Sequence, residues 1–138
     1  MATPHIFPVS VYYEDTDFSG LVYHANYLKY FERAREHFLG REELVRLWRE
    51  TGIGFVVYKA EMTFKEGAVF GDELQIRTTV DVQSDYRAVF TQQCWKPDGK
   101  GPMVDARIDL VCVDADNKLT RLPADVRARA AMHPSVGS

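Results

Sequence analysis

The run Tyr12-Tyr13-Glu14-Asp15-Thr16-Asp17-Phe18-Ser19-Gly20-Leu21-Val22-Tyr23-His24-Ala25-Asn26-Tyr27 gathers three carboxylates, a glycine bend and a histidine at the start of a helical pattern. A helix N-terminus presents unpaired N–H groups and about half a positive charge. It suits an anion, or a carbonyl oxygen that develops negative charge during a reaction. Asp17 and His24 lie across the turn from one another. One could attack, or activate water, while the backbone N–H groups of Tyr23 and His24 polarise a carbonyl. A carboxylate nucleophile or general base beside an oxyanion site is what acyl transfer to water requires. The same residues have a structural reading. Asp15, Asp17 and Ser19 are ordinary capping types, and a lone histidine in a first helical turn is often structural.

Other constellations are weaker. Asp15, Asp17 and His24 offer metal-ligand atoms, but no His-x-x-x-His or Cys-x-x-Cys spacing supports them, so no metal is expected. Asp114-Ala115-Asp116-Asn117 lacks the glycine and distal glutamate of a calcium loop and reads as a solvated turn. No phosphate loop, nucleophile elbow or dinucleotide fingerprint occurs. Cys94 and Cys112 read as free, buried thiols of a reducing compartment. Tyr23, Tyr27 and Tyr58 could line an apolar slot, though core packing is the simpler role for each.

The elements that must position the Asp17 loop follow from periodicity. Phe7, Val9, Val11 and Tyr13 alternate with Pro8, Ser10 and Tyr12, which predicts a first strand over 7–13. Tyr27, Phe31, Ala34 and Phe38, with Leu28 and Arg35 alongside, form one face of a helix over 23–39 that Gly40 stops. Leu44, Leu47 and Trp48 predict a shorter helix over 41–51, closed by Gly52. Beyond it, four alternating segments around 56–64, 74–81, 88–94 and 104–112 predict strands joined by turns at Gly71-Asp72, Ser84-Asp85 and Pro97-Asp98-Gly99. Such short links imply antiparallel pairing. The expected fold class is α+β: an antiparallel sheet of about five strands with one long helix on its inner face.

The chain has 138 residues, which suits a single domain over 1–138. Hydrophobic residues make up 46% and charged residues 27%, so intrinsic disorder is excluded. The formal net charge is −3, which disfavours nucleic acid or anionic membrane as a general partner. Apolar runs such as Phe55-Val56-Val57-Tyr58 are too short to span a bilayer. No Lys or Arg precedes Lys29, so a secretory leader is not expected and the compartment expected is the cytoplasm. The charge is local: Glu14, Asp15 and Asp17 are the only charged side chains before Lys29, and the remainder has seventeen acidic and seventeen basic residues.

The segments Val11 to Asp17, Gly20 to Tyr27 and Tyr30-Phe31-Glu32-Arg33-Ala34-Arg35 closely resemble the 4-hydroxybenzoyl-coenzyme A thioesterase family, and most of all its Tol-Pal-associated acyl-coenzyme A thioesterase branch. The resemblance implies the hotdog fold, a long central helix wrapped by an antiparallel sheet. It implies that Asp17 is the catalytic carboxylate and that His24 and Tyr13 belong to the site. It implies that amides at the helix start, here near His24, hold the thioester oxyanion. It implies a homodimer or homotetramer with sites at the dimer interface, and coenzyme A as part of the substrate rather than a cofactor. Phe18 departs from the small residues usual in that loop and is a candidate acyl-pocket residue, with Tyr27. An acidic protein that binds polyanionic coenzyme A needs local cations, and Arg87, Lys118 and Arg121 are the candidates, with Arg127 and Arg129 nearby in sequence. Two alternatives remain open: a hotdog hydratase or dehydratase acting on acyl thioesters, and a non-catalytic acyl-thioester-binding module.

Overall fold

Alternating apolar residues form a ladder whose inward set is buried. A computed structural model describes residues 3–134; the outermost residues of the expected 1–138 domain lie outside the described residues. Strands β1 (His5–Ser10), β2 (Gly54–Phe64), β3 (Glu73–Val82), β4 (Arg87–Trp95) and β5 (Val104–Val113) pair antiparallel in the order β1-β3-β4-β5-β2. The short strand β6 (Leu119–Thr120) extends the sheet beside the end of β5. Leu74, Ile76, Ala88, Phe90, Ile108 and Leu110 carry the inner face and are all buried. Helix α1 (His24–Leu39) covers that face with Tyr27, Phe31, Ala34 and Phe38, and helix α2 (Arg41–Thr51) follows after Gly40. The architecture is the expected α+β hotdog.

Several details differ from the sequence expectation, whereas Arg35 is buried on the helix face that the spacing gave it. β1 stops at Ser10 rather than Tyr13, because the chain turns into a single 3₁₀ turn at Tyr13–Asp15 whose start is tied by the Tyr12 N–H donating to Asp15 Oδ2 at 2.8 Å. Leu28 is 44% exposed, whereas Tyr30 is buried. Arg35 is buried beneath α1: its Nη1 donates to Gln92 Oε1 at 2.9 Å, and Gln92 Nε2 donates to the Phe31 carbonyl and to Thr78 Oγ1. A third helix, α3 (Ala124–Met132), was not predicted, because it buries only Val126 and Ala130 and so lacks a strong apolar stripe. It docks through its cations instead. Arg127 Nη2 donates to Asp85 Oδ1 at 2.7 Å, and Arg129 reaches the Phe38 carbonyl near the end of α1.

The end of α2 shows how tightly the connections are packed. Gly52 caps the helix at φ +74°, and a Cβ there would lie 2.7 Å from the Ala115 Cβ. Gly52→Val combines left-handed strain with this overlap and is expected to cost about 1–3 kcal/mol. Urea denaturation checks it, the midpoint falling with an unchanged slope.

Candidate active site at the first turn of α1

The loop between β1 and α1 is closed by backbone bonds that sort its carboxylates into two roles. Asp15 is structural. Its side chain caps the 3₁₀ turn, and its carbonyl accepts both the Tyr23 N–H at 3.0 Å and the Asn26 Nδ2 at 2.9 Å. Asn26, in the first turn of the helix, thereby latches the loop to α1. Asp17 starts a tight turn in which the Gly20 N–H donates to the Asp17 carbonyl, and Gly20 adopts φ +84°. Its carboxylate accepts the Ser19 N–H at 2.8 Å and the Ser19 hydroxyl at 2.5 Å. The Ser19 hydroxyl, then its N–H, hold the Asp17 carboxyl below the ordinary carboxylate range. Asp17 is therefore an ionised, acceptor-only group at the surface of a turn.

The Asp17 side of this turn faces a cleft of about 220 Å³ shared with His24, Tyr27, Phe64, Lys65 and Glu66. The His24 ring lies over Phe64 with centroids 4.6 Å apart. Tyr27 is buried, and its hydroxyl accepts the Ala68 N–H at 3.1 Å, so it supports the wall from beneath. The Lys65 and Glu66 N–H groups both donate to the Met103 carbonyl, which fixes the loop after β2 on β5. Glu66 is a second carboxylate in the cleft that sequence reasoning missed. It follows a strand end with no motif of its own, and only the fold carries it to Asp17.

The oxyanion assignment needs one correction. Tyr23 is the residue before the helix, and its N–H is already spent on the Asp15 carbonyl. His24 and Ala25 open the helix, and their N–H groups take no acceptor among the described residues. The free donors are thus shifted by one residue, to His24 and Ala25.

Several other candidates are not brought to Asp17 within one chain. Tyr13 is 75% exposed and stacks on Phe70 with centroids 5.5 Å apart, outside the cleft. Phe18 stands fully exposed at the tip of the turn and lines no pocket with Asp17. Arg87 lies in the row of Val111, whereas Phe64 of the cleft lies in the row of Val104, at the opposite end of the sheet. The separation is roughly 23 Å along the strands. Arg87 Nη1 donates to the Tyr58 hydroxyl at 2.7 Å, and that hydroxyl donates to Asp109. Lys118 lies on the exposed hairpin between β5 and β6, and Arg121 pairs with Asp85 at 3.5 Å beside Tyr86. Among the described residues no group of three or more His, Cys, Asp or Glu side chains is arranged to hold a metal ion. Cys94 and Cys112 are free and buried, and burial raises both thiols to about 12, so neither is a nucleophile.

A protein-family model described as the thioesterase-like superfamily matches residues 11–130, most of the chain. The chain belongs to this thioesterase-like family. Its relatives include the acyl-CoA thioesterase YbgC of Haemophilus influenzae, 34% identical over 125 residues that cover 88% of this chain and 90% of that protein. The acyl-CoA thioester hydrolase YbgC of Escherichia coli O6:H1 is 37% identical over 109 residues, covering 78% of this chain and 80% of that one. Among solved structures, a probable thioesterase from Bartonella henselae superposes with a TM-score of 0.80 at 32% identity, covering 87% of this chain and 99% of that chain. The family matches the resemblance carried by the Asp17 loop, and the YbgC relatives fit the branch that the loop most resembles.

Proposed function

We propose that this chain is an acyl-coenzyme A thioesterase, hydrolysing a thioester to a free acid and coenzyme A. The observation that carries the proposal is the meeting, in one cleft, of the ionised Asp17 carboxylate with the helix turn whose His24 and Ala25 N–H groups are unpaired. The thioester carbonyl oxygen would accept from those two N–H groups. Asp17 would then supply the electron pair, either taking a proton from attacking water or bonding to the carbonyl carbon itself. In both routes the C–S bond breaks and the thiolate leaves to be protonated; in the covalent route water then cleaves the acyl–Asp17 anhydride, which releases the free acid and restores the carboxylate. His24, exposed and stacked on Phe64, would exchange that proton. One good oxyanion donor is worth about 3 kcal/mol of transition-state stabilisation. No resident cofactor or metal is needed, since coenzyme A is part of the substrate. The names of the YbgC relatives support the acyl-coenzyme A class.

The site reads as half of a larger one. β2 is an edge strand, yet Val56, Val57, Tyr58 and Phe64 are between 41% and 49% exposed along it, an apolar row spread over both faces of the edge that a monomer leaves wet. Two β2 strands paired antiparallel about a twofold axis would cover that row. The same operation would set the Val56 end of one chain, with Tyr58 and Arg87, beside the Phe64 end of the other, with Asp17 and His24. Arg87, remote from the cleft within a chain, would then reach a coenzyme A phosphate across the interface. Tyr13, Lys118 and Arg121 keep their proposed roles only in such an assembly, whether dimer or tetramer. No helix among the described residues is long and apolar enough to cross a membrane. The two free, buried thiols fit the reducing cytoplasm.

A thiol-release screen over aliphatic and aromatic coenzyme A thioesters tests the reading. Stoichiometric release of coenzyme A and free acid from at least one acyl class is expected. Hydration of an enoyl thioester with no thiol released would assign the hydratase alternative. Tight binding without turnover across the whole panel would assign the binding module.

A further inference from the structure

We propose that Asp109 and Tyr58 are positioning residues, which hold the Arg87 guanidinium for a phosphate of coenzyme A. The proposal rests on the thioesterase reading and deepens it. In β2, Val57 lies opposite Leu110 and Lys59 lies opposite Asp109, so Tyr58 is an extra residue, a β-bulge. A bulge bends its strand and re-aims a side chain. The extra residue keeps the pleat in step: Val57 before it and Ala60 after it both lie opposite buried residues, Leu110 and Ile108. Any residue type could do that. What a tyrosine adds is its hydroxyl, which meets the Arg87 side chain of β4 over the intervening strand β5. Arg87 Nη1 donates to that hydroxyl at 2.7 Å, and the hydroxyl donates to Asp109 Oδ2 at 3.2 Å. A phenol has one proton to give and lone pairs to accept with, so it makes both bonds at once.

Asp109 is 4% exposed, and its other oxygen, Oδ1, accepts from Arg107 Nε at 3.4 Å. A carboxylate this buried is costly unless it is hydrogen-bonded, so Tyr58 and Arg107 fix it as it fixes them. Its charge polarises the phenol and makes the phenol oxygen a better acceptor for Arg87. Arg87 is thereby oriented by a neutral group, and it forms no ion pair among the described residues. Its remaining N–H donors are left for an outside anion. The neighbouring cations on this face are already matched, Lys59 by Glu61 at 3.1 Å and Arg107 by Asp109. The planar fork of a guanidinium fits a phosphate through two parallel bonds, which requires its plane to be held. With two β2 strands paired antiparallel, Arg87 faces the substrate seated in the Asp17 cleft of the other chain.

Pantetheine is the thiol arm of coenzyme A without its phosphates. The two are titrated by calorimetry, and thioesters of one acyl group on each are compared in steady-state hydrolysis. The wild type is expected to bind coenzyme A about tenfold or more tighter than pantetheine, the worth of a charge-assisted pair. Tyr58→Phe keeps the ring and removes the hydroxyl. It is expected to cut that preference about three- to tenfold, and to raise KM for the coenzyme A thioester by the same factor with kcat kept. Asp109→Asn is expected to cut it in the same direction. Arg87→Gln is expected to remove most of it, and adding Tyr58→Phe to Arg87→Gln to cost nothing more, because the hydroxyl then has no guanidinium to hold. If Asp109→Asn does not fold, Tyr58→Phe decides. Equal wild-type affinity for the two thiols, equal losses for both in Tyr58→Phe, or additive losses in the double variant would each overturn the proposal. The expected binding pattern without cleavage of any thioester would support the positioning role and overturn the hydrolase reading alone.

Discussion

Asp17→Asn is expected to lower kcat for thioester hydrolysis by about 10²–10⁴-fold with KM little changed, the range of a lost general acid–base group. The amide is nearly isosteric, and its oxygen still accepts from the Ser19 N–H and hydroxyl, so the turn keeps its shape. What is lost is the electron pair that a carboxylate supplies to water or to the carbonyl carbon. Steady-state thiol release measures it, and a variant that keeps wild-type kcat on every cleaved thioester would sink the mechanism. The wild-type pH profile carries the same information. Ser19 holds the Asp17 carboxyl below its ordinary value, so Asp17 is still ionised where a free carboxylate begins to protonate. A group with a lowered pKa loses its active form only as pH falls through that lowered value. Activity limited by Asp17 is therefore expected to hold down to about pH 3.9, the ordinary Asp value, and to fall below it. Ser19→Ala should move that acid limb upward.

The second large effect concerns assembly. Val56→Asp is expected to dissociate the proposed dimer and abolish hydrolysis together. Val56 is 42% exposed on an edge strand, so the chain's own fold tolerates the change, at about ±0.5 kcal/mol for a surface position. A twofold axis places two such carboxylates at one interface. Burying an uncompensated charge costs about 3–5 kcal/mol, so the dissociation constant should rise by roughly 10²–10⁴-fold. Light scattering checks the mass: twice 15.8 kDa or a multiple of it for the wild type and a lower mass for the variant, with unchanged circular dichroism. A variant that stays dimeric and active would remove β2 from the proposed interface.

Much of the fold was legible because its signals are local. Leu74, Ile76 and Val80 alternate with polar neighbours, and that period of two is enough to mark β3 and its buried face. Tyr27, Phe31, Ala34 and Phe38 mark α1 by the same logic at helical spacing, and Gly40 and Gly52 mark the helix ends by their positive φ. α3 was not legible, because its docking depends on Arg127 meeting Asp85, far away in sequence. Those arginines resembled a spare basic patch until the fold showed what they hold.

Periodicity along the whole chain determined the α+β class, and the Asp17 loop with the start of the helix carried the resemblance to the family. They also determined that a carboxylate, a histidine and a helix start would lie close together, since loop and helix are contiguous in the chain. Tertiary structure decided which members remain available for chemistry. It spent the Tyr23 N–H on Asp15 and left those of His24 and Ala25 without an acceptor among the described residues. It assigned Asp15 to capping and Asp17 to the cleft, brought Glu66 to the same cleft, and set Arg87 at the far end of the sheet. The physical reason is the same in each case. Periodicity and turn chemistry act over a few residues, but whether a donor or a charge is satisfied depends on whichever distant segment closes against it.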